Sequence, residues 1–359
     1  MSEPKAIICT GPGKLEIQPV AKQQLPPGYI LVKTKAVALN PTDWKAIHDP
    51  SGFAAGTRPG VDFSGIVEEV GPDVKKNFKT GDRVCGIAFG AKDREHGAFG
   101  EYTITKEHVA VKIPDHLSFE QAATLGVGVT TCGQALYQLL NLPLPSSTSA
   151  AAGSSPQTIL IGGGSTATAV LGIQYAALSG LRVLATASPR HHAYLRSLGA
   201  SALLDYHEPA ETLVAEIKAL VGDGLTLTWD CAPGDGKFPE VAARAMSASK
   251  EGIFATVAPL TPRDSLRERN PMVEARFQLG YTAFGEAFER GANKFPASQE
   301  DAEFAAAFWE RSAGLLAEKK LRPIEPTVDR GGKGLQGVLV GLEELRQGKV
   351  SGTKLVYTL

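Results

Sequence analysis

A chain of 359 residues, 43% of them hydrophobic, can bury a large core and more naturally forms two domains than one. Its 37 basic and 38 acidic side chains give a formal net charge of −1, which excludes the strongly basic surface typical of nucleic-acid binding. No segment approaches the roughly 20 apolar residues of a membrane span, and the first residues lack the apolar stretch of a signal peptide. We therefore predict a cytoplasmic protein with no nucleic-acid and no membrane partner.

The four cysteines, Cys9, Cys85, Cys132 and Cys231, lie far apart and form no CxxC or Cys/His pairing. This spacing predicts neither a zinc ribbon nor a disulfide framework.

The first 125 residues are rich in Val, Gly and short alternating runs such as YILVKTKAVAL and FSGIVEEVG, which predicts a β-rich barrel domain. The stretch PLPSSTSAAAGSSPQ (143–157) has almost no side chain to bury, and we interpret it as a mobile surface loop rather than a domain boundary.

From residue 158 the chain alternates predicted strands with helical patterns; the strands are TILIG, RVLATA, ALLDY, LTLTWD, GIFATV and FQLGYTAF. This alternation predicts an α/β domain with a doubly wound parallel sheet that binds a nucleotide. The last 60 residues give two helices, an extended piece RPIEPTV and a final strand KLVYTL, and we expect them to return to the first domain. The predicted domains are thus 1–125 with 300–359, and 126–299.

The stretch TILIGGGSTATAVLGIQYAALSG (158–180) predicts a strand, a glycine turn and a helix. A pyrophosphate needs backbone N–H groups and small residues at such a turn, and Gly162, Gly163 and Gly164 meet the second need. The predicted phosphate-binding residues continue with Ser165, Thr166, Ala167 and Thr168. The hydroxyls of Ser165, Thr166 and Thr168 can donate to phosphate oxygens. The last glycine of the dinucleotide fingerprint is missing, but the small Ala169 can allow close helix packing. The alternative is a tight turn without a ligand.

Sites specific for NADH place an acid about 20 residues beyond this turn, whereas the sequence here is LATASPRHH. Ser188, Arg190 and Arg196 suit a 2′-phosphate, so the sequence favours NADPH. The alternative for the arginines is a solvated helix face. Tyr206 either packs beside the adenosine or caps the sheet.

Several stretches together resemble the zinc-independent medium-chain dehydrogenase/reductase superfamily, quinone oxidoreductase-like branch. They are ALNPTDWK, PGVDFSGIVEEVG, GDRVCG, HGAFGEYTIT, LSFEQAATLGVGVTT, the glycine turn, SLGA and KVSGTKLVYTL. GGGSTATA and PLPS are most similar to the trans-acting enoyl reductases of fungal polyketide synthases, of the lovastatin type. The resemblance implies a Rossmann NADPH-binding domain and a GroES-like catalytic and substrate domain.

The resemblance also implies that no metal is bound. Zinc-dependent members have a Cys-His pair where this chain has Asn40 and Pro41, and their four-cysteine lobe has no counterpart near GIAFGAKDREHGAFG.

The implied reaction is hydride transfer from NADPH to an α,β-unsaturated thioester held on the acyl carrier domain of a polyketide synthase or a synthase–peptide synthetase hybrid. Lys45 would donate to the carbonyl oxygen, or else be a solvated lysine. Asn40 and Asp43 would orient the loop, and Thr131 would bond the nicotinamide carboxamide. Asp62 is expected to organise its turn rather than perform chemistry, and no residue is assigned as the general acid.

The resemblance places Phe284, Gly285 and Glu286 beside the substrate pocket. Four arginines, Arg263, Arg267, Arg269 and Arg276, would meet an acidic carrier domain or the phosphopantetheine phosphate, although interleaved acids favour a solvated surface. Charges and glycines in 285–291, after the last predicted strand, would discourage strand pairing and predict a monomer.

Two other functions stay open. One is a free-standing NADPH-dependent quinone or enone reductase. The other is a non-reducing binding or cyclising protein on the same fold.

Overall fold

The computed structural model describes residues 3–145, 156–234, 236–258, 264–277 and 279–359. The chain divides into two compact units, Met1–Thr130 with Tyr281–Leu359, and Thr131–Gly280. The divisions therefore fall at 130/131 and 280/281, where sequence analysis placed them at 125/126 and 299/300. Most of the predicted surface loop 143–157 lies outside the described residues.

The first unit opens with strands and short helices. The strands are β1 (Lys5–Gly11), β2 (Lys14–Pro19), β3 (Tyr29–Ala38), β4 (Asp62–Val70), β5 (Arg83–Ile87), β6 (Tyr102–Lys106) and β7 (Ala110–Lys112). The helices are α1 (Pro41–Ile47) and α2 (Phe119–Ala123), and α3 (Gly126–Cys132) contains the division between the units.

After the end of α3, the second unit continues with a π-helical segment, Gly133–Leu139. Strands and helices then alternate. They are β8 (Thr158–Gly162), α4 (Ala167–Leu178), β9 (Arg182–Thr186), α5 (His192–Ser197), β10 (Ala200–Leu204), α6 (Ala210–Val221), β11 (Leu227–Asp230), α7 (Lys237–Ala245), β12 (Gly252–Thr256), α8 (Asp264–Arg269) and β13 (Val273–Phe277).

The chain then returns to the first unit, as the sequence predicted. The returning elements are β14 (Phe288–Arg290), β15 (Asn293–Phe295), α9 (Gln299–Ala317), β16 (Pro326–Val328), α10 (Gly334–Arg346) and β17 (Lys354–Thr358).

The main sheet of the first unit combines strands from both ends of the chain. In the described residues its order is β16-β17-β3-β4-β5-β7, with β6 also paired to β3. The final strand β17 runs antiparallel to β3, with Val356 opposite Ala38. Buried apolar side chains such as Val32, Phe63 and Tyr357 form its core, so the C-terminal segment is part of this unit's hydrophobic core.

The second unit holds a parallel sheet with the order β10-β9-β8-β11-β12-β13 among the described residues. Successive strands run outward from β8 in one direction and from β11 in the other, so the strand order reverses between β8 and β11. Ligands of doubly wound sheets bind at the carboxyl ends of the strands beside such a reversal. The predicted α/β fold class is confirmed, and the glycine turn after β8 lies at the reversal.

The predicted strand FQLGYTAF is wrong in its position. β13 ends at Phe277, and Gly280–Phe284 forms a short 3-10 turn instead. The rings of Tyr281 and Phe284 lie 4.9 and 4.8 Å from the ring of Phe89 in the first unit. The apolar pattern reflects packing on that ring and not a place in the parallel sheet.

Among the described residues, the parallel sheet has β10 at one edge and β13 at the other, and residues 285–291 lie on neither. Their strand β14 pairs with β15 in a separate hairpin. The edge strand β13 carries Glu274 and Arg276, whose side chains are 2.8 Å apart. The charged residues that were predicted to block strand pairing, 285–291, therefore do not lie on the edge of the parallel sheet.

Candidate functional site

The glycine turn after β8 is closely packed against the loop after β11 and against α7. Gly163 has a φ of +66°, and a Cβ there would lie 2.5 Å from that of Ala232. A Cβ on Gly162 would lie 2.7 Å from the ring of Phe238. The sequence therefore needs glycine at both positions, whether or not a ligand approaches.

Some backbone N–H groups of the turn are hydrogen-bonded within the protein, and others are available to a ligand. Gly163 N–H donates to Thr186 Oγ1 at 3.2 Å, and Gly164 N–H donates to the Thr186 carbonyl at 2.8 Å. Thr166 caps α4 by accepting from Ala169 N–H at 3.2 Å. Among the described residues, the N–H groups of Ser165, Ala167 and Thr168 have no partner and remain available to an anion.

The missing last glycine does not prevent close packing of α4 on the sheet. Ala169 is fully buried, which fits its predicted role. The closest approach is one turn further on, where a Cβ on Gly172 would lie 2.3 Å from the ring of Trp229. The turn, its capped helix and the available N–H groups fit a dinucleotide pyrophosphate.

The segment after β9 carries the predicted 2′-phosphate residues. Ser188 is buried, with its hydroxyl 3.5 Å from that of Tyr206, which is 47% exposed. Arg190 is exposed and donates from Nε to His191 Nε2 at 3.1 Å. Arg196 is exposed on α5. Ser188 and Tyr206 are thus in contact, and Arg190 follows Ser188 by two residues on the surface of the second unit.

Sequence reasoning missed Lys237, which supports this surface. Its Nζ donates to the carbonyl oxygens of Tyr206 and Glu208 at 2.7 and 2.6 Å. Because Tyr206 and Lys237 are 31 residues apart, no local pattern could indicate the contact. Asp205 is the first acidic residue after Arg190 in the sequence. Its carboxylate is bonded to His207 at 2.5 Å.

In the first unit the NPTD segment forms the start of α1. Asn40 N–H donates to Asp43 Oδ2 at 2.7 Å, and both residues are buried. Burial raises the pKa of Asp43 to about 8 despite that hydrogen bond, and the Asp62 carboxylate adds to the increase. Asn40 Nδ2 and Asp43 Oδ1 have no partner in the described residues. Burial thus favours the neutral form of Asp43, whose hydrogen bond with Asn40 orders the start of α1.

Lys45 lies on the exposed face of α1. Its Nζ is 5.7 Å from the centroid of the Trp44 ring, and no ion pair with Lys45 is found among the described residues. A long stem and an unpaired ammonium leave this side chain able to change its direction. The Thr42 hydroxyl, one turn earlier, lies 3.4 Å from the Tyr281 hydroxyl.

Thr131 is half-buried in α3 and belongs to the second unit. The next residue, Cys132, donates from its thiol to the carbonyl of Thr168 at 3.4 Å. Thr131 is therefore adjacent in sequence to a residue that contacts the first turn of α4.

Asp62 is fully buried in an ion pair with Lys354 of β17. Its other oxygen accepts from Val127 N–H at 2.6 Å. These contacts tie β4, β17 and the start of α3 together, which agrees with the predicted structural role.

Phe284, Gly285 and Glu286 are held tightly within the first unit. Phe284 is fully buried. Glu286 accepts from Tyr29 Oη at 2.8 Å, Lys92 Nζ at 2.6 Å and Lys106 Nζ at 2.9 Å. Although burial raises it, hydrogen bonds from the two lysines lower the pKa of Glu286 to about 2. The cluster fixes the position of this segment against the sheet.

The predicted basic string is not one surface feature. Arg263 lies outside the described residues, whereas Arg267 and Arg269 are exposed on α8. Arg276 donates to the Leu139 carbonyl at 2.7 Å and pairs with Glu274. The guanidinium of Arg276 therefore makes structural contacts within the second unit.

Comparison with known proteins agrees with this architecture. Residues 26–115 match the family model of the alcohol dehydrogenase GroES-like domain. The chain is 42% identical to trans-enoyl reductase resD of Aspergillus sclerotiorum, over 98% of this chain and 99% of that protein. It is 40% identical to trans-enoyl reductase ACTTS2 of Alternaria alternata, over 99% and 98% of the two chains. The chain belongs to the trans-enoyl reductase family.

Solved structures share the fold of this trans-enoyl reductase. The CurK enoyl reductase superposes with a TM-score of 0.75 at 18% identity, covering 99% of both chains. The quinone oxidoreductase of Coxiella burnetii superposes with a TM-score of 0.70 at 26% identity, also covering 99% of both. The predicted medium-chain dehydrogenase/reductase resemblance is confirmed.

The described residues of the reductase meet the requirements of neither a metal site nor a membrane-spanning helix. No group of three or more His, Cys, Asp or Glu side chains there could hold a metal ion. No helix there is long and apolar enough to cross a membrane.

Proposed function

We propose that this reductase transfers a hydride from NADPH to the double bond of an α,β-unsaturated polyketide thioester. The thioester would be carried by the acyl carrier domain of a separate synthase, or synthase–peptide synthetase hybrid, in the cytoplasm. The observation that carries the proposal is the 42% and 40% identity to two trans-enoyl reductases over nearly the whole chain. Enzymes of this superfamily use a nicotinamide cofactor, which the glycine turn fits.

The side chains after β9 support NADPH as the cofactor. Ser188 and Arg190 stand where an acid would bind the 2′-hydroxyl of NADH, and Arg196 follows on α5. A guanidinium and a hydroxyl are suitable donors to a phosphate monoester. Asp205, the first acidic residue after Arg190 in the sequence, is bonded to His207.

Bound NADPH would supply the hydride to the β-carbon of the thioester. Lys45 would then donate an N–H to the thioester carbonyl oxygen, where negative charge grows as the hydride arrives. Asn40 and Asp43 would hold the loop that carries Lys45, and Thr131 would bond the nicotinamide carboxamide. The α-carbon would take its proton from solvent, so no side chain is assigned as the general acid.

We also propose that Phe284, Gly285 and Glu286 border the substrate pocket. The support is their rigid attachment: Gly285 has a φ of +69°, and Glu286 is bonded to three side chains. A pocket wall fixed in this way would discriminate acyl chains by shape.

The first test is cofactor binding by titration. We expect NADPH to bind at least tenfold tighter than NADH, about 1.4 kcal/mol. Replacing Arg190 and Arg196 together by Gln should reduce the difference in affinity between NADPH and NADH, because only the 2′-phosphate of NADPH loses hydrogen-bond donors. The matched control, Arg267→Gln with Arg269→Gln, removes the same charge from α8 and should leave this difference unchanged. Equal affinities in the wild type would contradict the NADPH assignment.

The second test separates the three functions. The reductase is mixed with NADPH and an enoyl thioester on a carrier domain, with a simple quinone in a parallel reaction. Gain of two hydrogens by the carrier-bound acyl group supports the proposal. Turnover of the quinone alone would support a free-standing reductase, and no NADPH oxidation with either would support a non-reducing descendant.

A further inference from the structure

The hydrogen bond between Arg190 and His191 determines the protonation state of the imidazole. Arg190 Nε donates to His191 Nε2 at 3.1 Å. A guanidinium has no acceptor, so Nε2 must offer its lone pair. This arrangement favours a neutral imidazole with its ring proton on Nδ1 in the free protein.

The surroundings favour the same neutral form. The titratable and charged groups of this region are Arg190, His192, Tyr194 and Arg196 beside His191, then Asp205, Tyr206, His207 and Glu208 after β10, and Lys237 on α7. Burial, followed by the charges of Arg190 and His192, lowers the pKa of His191.

Neither of the two acids of this region is hydrogen-bonded to His191 among the described residues. Asp205 is bonded to His207, and His192 Nε2 donates to the Ala187 carbonyl at 2.9 Å. His191 is therefore a half-exposed imidazole beside a guanidinium, with no carboxylate bonded to it among the described side chains.

We propose that His191 is a proton-coupled ligand of the cofactor's 2′-phosphate. The inference rests on the proposed use of NADPH. On binding, Arg190 would redirect its N–H from His191 to a phosphate oxygen, which frees the lone pair of Nε2. His191 would take a proton from solvent at Nε2 and donate it in a hydrogen bond to the phosphate. One proton is consumed per cofactor, and no other bond forms or breaks.

The coupling gives NADPH affinity a defined dependence on pH. A phosphate dianion beside the imidazole stabilises its charged form, so the pKa of His191 is higher in the complex than in the free protein. The added affinity is fully present below the pKa of the free protein and is lost as pH rises through the pKa of the complex. Between these two values the dissociation constant rises by up to about tenfold per pH unit. NADH lacks the phosphate and would bind equally well across this range.

Isothermal titration calorimetry at pH 7.5 tests the inference without any turnover. Titrations in two buffers with different ionisation enthalpies give the number of protons taken up. We expect about 0.5 to 1 proton per NADPH, because the lowered pKa of His191 leaves the imidazole neutral at pH 7.5 before binding. We expect close to none per NADH.

Two variants assign the proton. His191→Gln should abolish the uptake while NADPH still binds tighter than NADH through Arg190 and Ser188. His207→Gln removes a histidine of the same region and should retain the uptake. Absence of proton uptake by the wild type, or uptake that persists in His191→Gln, would overturn the inference.

The same titrations separate this inference from the proposed cofactor. Tight NADPH binding without proton uptake contradicts only the role of His191. Equal affinity for NADPH and NADH contradicts the cofactor assignment, and the role of His191 with it.

Discussion

Among single residues, Lys45 bears most directly on the proposed chemistry. Its exposed ammonium lies 5.7 Å from the centroid of the Trp44 ring. If it stabilises the developing enolate, Lys45→Ala should lower kcat by roughly 10- to 1,000-fold and leave NADPH affinity nearly unchanged. Steady-state kinetics with an enoyl thioester and a separate cofactor titration measure the two effects.

The control for this prediction is Lys14→Ala, which removes another exposed lysine of the first unit. It should leave kcat unchanged. If Lys45→Ala also turns over at the wild-type rate, Lys45 is a solvated surface residue.

The buried Asp43 predicts an unusual dependence of stability on pH. An aspartate in an unfolded chain has a pKa of about 3.9, whereas burial raises that of Asp43 to about 8. Its contribution to stability is fully present below about pH 4 and is lost as pH rises to about 8. Asp43→Asn keeps an acceptor for Asn40 N–H but cannot ionise. Its melting temperature should therefore improve relative to the wild type between pH 5 and pH 8.

Asp223→Asn is the matched control for this comparison. A hydrogen bond from Ser249 lowers the pKa of Asp223, so this carboxylate is ionised across the whole range. The difference between this variant and the wild type should stay constant from pH 5 to pH 8. A constant difference for Asp43→Asn as well would contradict the raised pKa of Asp43.

At the scale of elements, the contact between α4 and β11 sets the position of the glycine turn after β8. A Cβ on Gly172 would lie 2.3 Å from the Trp229 ring, and both residues are buried. Gly172→Ala should destabilise the protein by about 1–3 kcal/mol, because the helix must move away from the strand. Urea unfolding followed by circular dichroism measures the change.

Gly314→Ala in α9 is the matched helix substitution. No atom lies within 4 Å of a Cβ there, so the change should stabilise the protein by about 0.4–1 kcal/mol. If the two variants had equal stability, the close approach at Gly172 would be refuted.

The sequence could predict elements whose causes are local. The strand, turn and helix at 158–178 follow from apolar spacing, adjacent glycines and the Thr166 cap, all within a few residues. Contacts between distant residues have no such local pattern. Tyr29 and Glu286 are 257 positions apart. FQLGYTAF was misplaced for the same reason, because its aromatic residues pack on Phe89 rather than on a neighbouring strand.

For the whole molecule, we propose that the reductase is a monomer. The support is the edge strand β13, where Glu274 and Arg276 place charges on the row that a second sheet would have to join. Light scattering coupled to size-exclusion chromatography should give 37.8 kDa at micromolar concentration. A mass near twice that value would show that the charged edge does not prevent pairing.

The most direct test of the proposed reaction follows the hydride itself. The reductase is incubated with an enoyl thioester on a carrier domain and with NADPH that carries deuterium at the transferable position of C4. The account predicts a saturated acyl chain with one deuterium at the β-carbon, detected by mass spectrometry of the released acid. A saturated product without deuterium, or an unchanged enoyl thioester in the presence of bound NADPH, would contradict it.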